Sequence, residues 1–399
     1  MIFHRCNGLT ENQMKRHSYI LLMLAAVLAA SCSKHLPDPG QPGSPSLSGS
    51  YIFFEPEVVE HVDTRTTMVE GNTLPLEDGT AFGVMGYAGG NAIFNNATYH
   101  PGGIAKVTRN GAGAEAPFTY QGLVQWRDAS TIHNFYAYYP YSMQYLIKTG
   151  TNNVPYIEYT QQTDETKMTD ILTAHVSTSK VPIVNLGFGH RLWALDLTVA
   201  NTRTKKDSLY NAETKQYEEY DPVIKVKSIK FEFDGFPRSG LIHMDGNITI
   251  PDPSTQNNML PGFTKSYSGR TLNPGTKEAL NGSNSFLFLP CGSFRYRLTV
   301  EFENALGLSY TSHHPSTYLV EENGNPALDT NGQIQWDWAT ASGPDTNKDG
   351  IGDGFAAGKR YTLDIVKADF EVKFVWTESD WGEWNGKEWV PVRVDHKFI

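Results

Sequence analysis

The sequence predicts an all-β chain of sandwich or barrel type, on three observations. Short runs rich in Val, Ile, Thr, Phe and Tyr are punctuated by 36 glycines and 22 prolines. Several of those runs alternate apolar and polar residues, which buries one face and leaves the other wet, as in an antiparallel sheet packed on one side. Long stretches of helical periodicity are scarce.

The elements follow in chain order. "MKRHSYILLMLAAVLAASC" (14–32) has a basic start at Lys15 and Arg16, an apolar run from Tyr19 to Ala30, and small residues before Cys32. Twelve apolar residues are too few to span a bilayer, which takes about 20 in a helix; with these flanks the stretch reads as a secretory signal over residues 1–31. The polar residues ahead of Met14 fit no signal, which makes Met14 the alternative start. Ala29, Ala30 and Ser31 before Cys32 resemble the lipobox of bacterial lipoproteins, in which the cysteine is lipidated and the preceding peptide removed. The alternative is a plain signal with an incidental Cys32. Residues 32–50, "CSKHLPDPGQPGSPSLSGS", are Pro, Gly and Ser with little to bury, a tether behind the anchor.

Beyond the tether, strands are read at "AFGVMGYA" (81–88), "NFYAYYPYS" (134–142), "HRLWALDLTVA" (190–200), "IKVKSIKFEFDG" (224–235), "SFLFLP" (285–290) and "FRYRLTVEFEN" (294–304). Two more lie in "KRYTLDIVKADFEVKFVW" (359–376) and one in "KEWVPVRVDHKFI" (387–399). In the 359–376 pair, Tyr361, Leu363 and Ile365 alternate with polar residues, as do Phe370, Val372, Phe374 and Trp376. The polar "SLYNAETKQYEEYDP" (208–222) interrupts the series, and the domain boundary is placed beside it: one domain over 51–205, a second over 206–399. A body of this length can build two cores.

Composition narrows the function classes. The formal charge of −10 argues against a nucleic-acid partner. With Cys6 in the removed region and Cys32 taking lipid, Cys291 is left alone and is expected to be buried and inert. No H-E-x-x-H, G-x-S-x-G or G-x-x-x-x-G-K-[ST] motif occurs, so no enzyme class is indicated. The His313–His314 pair has no second metal pair near it in sequence and reads as a loop feature.

At this point the chain resembles the fimbrillin family, the pilin-like lipoproteins of Gram-negative anaerobes that build type V pili. The residues that carry the resemblance are "TRT" (64–66), "FGVMGYA" (82–88), "FYAYYPYS" (135–142), "MTDILTA" (168–174), "LGFGHRLWALDLTV" (186–199), "GKRYTLDI" (358–365) and the late "VWTESDW". These are loose patterns whose order and spacing make the match. The resemblance implies two antiparallel β-sandwich domains in tandem, a lipid anchor in the outer membrane, and a structural or adhesive role in a surface pilus. It also implies, for polymerising members, cleavage after an early arginine and assembly with other pilus subunits by β-strand donation, a contact that does not close and so propagates.

Arg65, followed by Thr66, is the position where that cleavage would fall. It is the first arginine after Cys32, and the segment ahead of it, "YIFFEPEVVEHVDT" (51–64), is apolar enough to be a removable strand. The alternative is a solvent-facing arginine on an early strand of an anchor-type member that keeps its lipid.

Two further constellations have readings of their own. "DTNKDGIGDG" (345–354) sets oxygen-bearing side chains at Asp345, Asn347, Asp349 and Asp353, with the Ile351 carbonyl as a fifth donor. It resembles D-x-N-x-D-G calcium loops, and Ca²⁺ takes six to eight such oxygens. Position twelve is Ala356, however, where a bidentate glutamate belongs, and the other reading is an Asp/Asn/Gly turn. Six of the eight tryptophans fall after residue 335. Trp336, Trp338, Trp381 and Trp384 are the candidates for a glycan platform, the function of a monomeric surface lipoprotein or of an adhesin meeting a host ligand. The other reading is aromatic core and cross-strand pairs.

Overall fold

In the computed structural model, described residues are 51–58, 74, 77–94, 103–113, 116–142, 147–149, 154–251, 258–268, 270–281, 285–345, 352–380, 383–384, 389–390 and 393–394. The fold is all-β, as expected. The described residues contain no α-helix, and a 3-10 turn spans Glu165–Lys167. The main strands are β1 (Phe54–Val58), β2 (Ala81–Ala88), β3 (Ala105–Arg109), β4 (His133–Tyr139), β5 (Leu172–Thr178) and β6 (Val184–His190). They continue as β7 (Trp193–Asn201), β8 (Ile224–Asp234), β9 (Phe294–Asn304), β10 (Ser309–His314), β11 (Lys359–Lys367) and β12 (Val372–Asp380).

The first sheet runs β1-β6-β5-β4-β2-β3 and ends on Phe118–Thr119. One face carries Phe82, Val84, Ala105, Val107, Phe135, Ala137, Leu186 and Phe188 into a core. The other face, with Met85, Tyr136 and Tyr138, packs on Ile157, Ile242 and Met244. Ile157 and Ile242 belong to a four-stranded sheet built from Ile147–Thr149, Pro155–Thr160, Ser239–His243 and Ile248–Thr249, and Met244 directly follows its third strand. Gly83 on β2 is dictated by this packing, because a Cβ there would collide with the buried Tyr138 ring.

The second core lies between two sheets packed face to face, the arrangement of a β-sandwich. One contains β7, β11 and β12, the other β8, β9 and β10. Leu195, Leu197 and Val199 of β7 meet Ile229, Phe231, Leu298 and Val300 of the facing sheet. Trp193 anchors one end: its ring packs against Phe236, Phe288, Phe355 and Tyr361, and its Nε1 donates to the Leu289 carbonyl at 2.8 Å. On β8 the buried residues shift from even positions (Ile224, Val226) to odd ones (Ile229, Phe231, Phe233), and a bulge between Val226 and Ser228 makes the shift.

Two features differ from the sequence reading, the parallel pairs and the place of Phe370. Among the described residues the pairing is antiparallel except for two parallel pairs, β1 with β6 and β7 with β11, each joined by a long crossover as parallel strands require. Neighbouring residues here enter different cores: Leu192, just ahead of β7, and Ala194 pack with Met85 and Tyr138, while the odd positions of β7 lie in the second core. The four-stranded sheet likewise draws strands from both sides of residue 205, while the polar 207–220 stretch is a two-stranded ribbon, Asp207–Asn211 with Gln216–Tyr220. Phe370, expected on the buried face with Val372, Phe374 and Trp376, is 83% exposed. It lies between β11 and β12, where the Lys205 ammonium sits 4.2 Å from its ring centroid. In 387–399, the described strand residues are Trp389–Val390 and Arg393–Val394.

Two predictions follow from this packing. Gly83→Ala should lower stability by about 1–3 kcal/mol, the usual effect of overpacking a filled core, read as a drop in the urea midpoint. Desolvation lowers the pKa of His175, His313 and His314. Because the folded protein resists their protonation, stability is full above the unfolded histidine pKa of about 6.5 and falls as pH drops below it. The melting temperature should therefore decline between pH 7.5 and pH 5, and His314→Phe should flatten that decline.

Candidate functional site

β1 is the edge strand of the first sheet. Its alternation places Ile52, Phe54 and Pro56 inside, while Phe53 and Glu55 are half-buried and Glu57 is exposed. Phe54 meets Phe135 edge-on at 5.2 Å and lies 5.7 Å from Tyr120 and 6.4 Å from Phe94, centroid to centroid. The strand is also gripped through its backbone. The Val184 amide donates to the Phe53 carbonyl (2.8 Å), the Ile52 amide donates to the Val124 carbonyl (2.9 Å), and the Tyr120 hydroxyl donates to the Ile52 carbonyl (2.9 Å). Tyr120 in turn accepts the Val124 amide at 3.3 Å. A short strand is thereby held between β6 on one side and the 120–124 segment on the other.

Pro56 fits this place for a specific reason. In a parallel ladder successive amides of one strand point alternately toward and away from its neighbour. The Phe53 carbonyl faces β6, so the Phe54 and Pro56 nitrogens face away, and proline there removes no bond to β6.

Arg65 and Thr66 fall in 59–73, between the end of β1 and Leu74, and lie outside the described residues, as do Cys32 and the signal. Asn347, Asp349, Ile351 and Trp381 lie outside them too, and nothing of the Trp384 side chain is described. The neck of the 345–354 loop is tight. The Asp353 amide donates to Pro344 and the Gly354 amide to Ser342, both at 2.8 Å, and a Cβ at Gly343 or Gly352 would strike the opposite backbone. Among the described residues no group of three His, Cys, Asp or Glu is placed to hold a metal ion. Cys291 is a free thiol, and desolvation raises its pKa strongly, in keeping with an inert role.

Trp336 and Trp338 are half-buried on the outer face of the β9/β10 sheet. Trp336 stacks on His313 (3.9 Å, 14° between planes), whose Nδ1 meets Thr299 Oγ1 at 3.1 Å. Trp338 lies 4.0 Å from the Arg297 guanidinium, a cation–π contact, and desolvation lowers the pKa of that arginine. Each ring thus has a face engaged by the sheet. They pin down an arm, residues 317–337, that the sequence reading missed although it carries a period of eight: "EENGN" (321–325) and "DTNGQ" (329–333). Three limbs close into a ring. Leu319 donates to the Gln335 carbonyl, Gln335 to Ala327, and Ala327 to Leu319, each at 2.8 Å. Gly324 and Gly332, with φ of 84° and 76°, make the two turns between limbs. Tyr318, Leu319, Val320, Leu328 and Ile334 are exposed on this arm. If Trp336 is a staple, Trp336→Ala should lower stability by about 1–2 kcal/mol, the scale of a lost aromatic pair with its buried area; an unchanged melting temperature with loss of oligosaccharide binding would instead make it a sugar platform.

No curated protein matches the chain. Among solved structures, a putative cell adhesion protein from Bacteroides uniformis aligns at 17% identity over 86% of this chain and 100% of its own, with a TM-score of 0.42. A fimbrial protein from Bacteroides vulgatus aligns at 12% identity over 83% and 99%, with a TM-score of 0.44. A fimbrial anchor protein from Porphyromonas gingivalis does so at 12% over 83% and 97%, with a TM-score of 0.34. The model of the fimbrillin-like family matches residues 64–381, most of the chain. That family comprises structural subunits of cell-surface fimbriae and not enzymes. This chain is a member of the fimbrillin-like family.

Proposed function

We propose that this chain is a structural or adhesive fimbrial subunit, exported as an outer-membrane lipoprotein through Cys32, from which cleavage after Arg65 frees β1 for replacement by a strand of the next subunit. The observation that carries the reading is the position of β1. The whole strand precedes Arg65, so one cut there would leave it attached to the body by noncovalent contacts alone. Those contacts are sheet bonds and three buried side chains, which a second strand of like pattern can replace with little net change in free energy. The family match beginning at Thr64, one residue before Arg65, supports the same division. Strand donation from subunit to subunit is a heterologous contact and extends without closing.

Treatment of the folded protein with an arginine-specific protease should yield a chain beginning at Thr66 and oligomers that persist in mild denaturant. Arg65→Ala should remain full-length and monomeric under the same treatment. A cut chain that stays monomeric, with its fragment never exchanging, would sink the proposal.

A further inference from the structure

Resting on the reading that β1 is released, we infer that the vacated slot selects its new strand chiefly at one position, that of Phe54. The selecting groups are Phe94, Tyr120 and Phe135, whose rings surround Phe54 at 5.2 to 6.4 Å. Phe94 and Tyr120 are also in edge contact at 5.9 Å, and Phe135 is braced by Trp126 at 5.9 Å, so the cage has walls independent of its occupant. A cavity whose walls are held in this way does not collapse around a smaller side chain, and a void there forfeits both transfer and contact energy. The positions on either side are less demanding: Phe53 and Glu55 are half-buried and face away from the core.

Tyr120 fixes the register as well as the ring. Its hydroxyl meets the Ile52 carbonyl, two residues ahead of the caged phenylalanine. A strand shifted by one residue would turn its apolar side chains out of the core. The slot therefore asks for an apolar residue, an aromatic two positions later, and a third buried residue two beyond that. At the third position proline is tolerated, because the amide there faces away from β6.

The partner is accordingly a neighbouring subunit's strand running parallel to β6, with an aromatic at its centre. The test uses full-length protein cut after Arg65, carrying Phe54→Ala or, as the control on the outward face, Phe53→Ala. Exchange of the cut fragment for a labelled synthetic peptide of residues 51–65 is followed by anisotropy. The Phe54→Ala fragment should leave at least tenfold faster than the native one, and the Phe53→Ala fragment within about threefold of it. Tyr120→Phe in the body should speed release severalfold while the protein stays folded by its near-UV spectrum. Equal release from the Phe54→Ala and Phe53→Ala proteins would overturn the selection at Phe54 and leave strand exchange standing. No exchange of any fragment under conditions where the body stays folded would overturn both.

Discussion

Phe54 holds the place on which the first core depends. Its ring lies among Phe94, Tyr120 and Phe135, and its strand joins β6 to the 120–124 segment through main-chain bonds. Removing it would expose aromatic surface worth about 25 cal/mol for each Å² returned to water. A domain whose core is completed by a terminal strand is stable with that strand and poorly satisfied without it. Such a domain has a strong thermodynamic drive to refill the slot, and the refilling strand need only match its pattern.

The rest of the body is tied together by contacts of its own. β7 faces two ways, with Trp193, Leu195 and Leu197 in the second core and Ala194, beside the preceding Leu192, in the cluster with Met85 and Tyr138. The four-stranded sheet joins Pro155–Thr160 to Ser239–His243 across the same region. Gln161 reinforces it from inside: its side-chain carbonyl accepts the Leu289 amide at 2.8 Å and its amide donates to the Pro237 carbonyl. The buried Glu165 pairs with Lys265, tying the 3-10 turn to the strand Gly262–Ser266. These contacts lie away from β1, so its departure need not disturb them.

Much of this fold was legible in sequence because alternation is a local property. Tyr361, Leu363 and Ile365 read correctly as one buried face, and 81–88 and 294–304 matched their strands end to end. Phe370 did not, because a turn before Val372 resets the alternation and hydrophobicity alone does not mark the turn. Parallel pairing was invisible for a related reason: it is decided by crossovers of more than a hundred residues. The apolar strand ahead of Arg65 was visible, but not its aromatic cage, since Phe94, Tyr120 and Phe135 converge on Phe54 from separate segments. The arm around residues 317–337 went unread although its eight-residue spacing was present, because polar turn residues carry the repeat and apolar ones do not.

That arm has a consequence for colloidal behaviour. It displays five apolar side chains, yet at Leu319, Ala327 and Gln335 every limb gives one main-chain bond and takes one around a closed ring. Sticky surfaces of β-proteins are dangerous mainly where unpaired backbone offers a template. Here the side chains are apolar while the main chain of Leu319, Ala327 and Gln335 is spent within the ring. At those three positions the arm offers a neighbouring copy no unpaired main chain to build on.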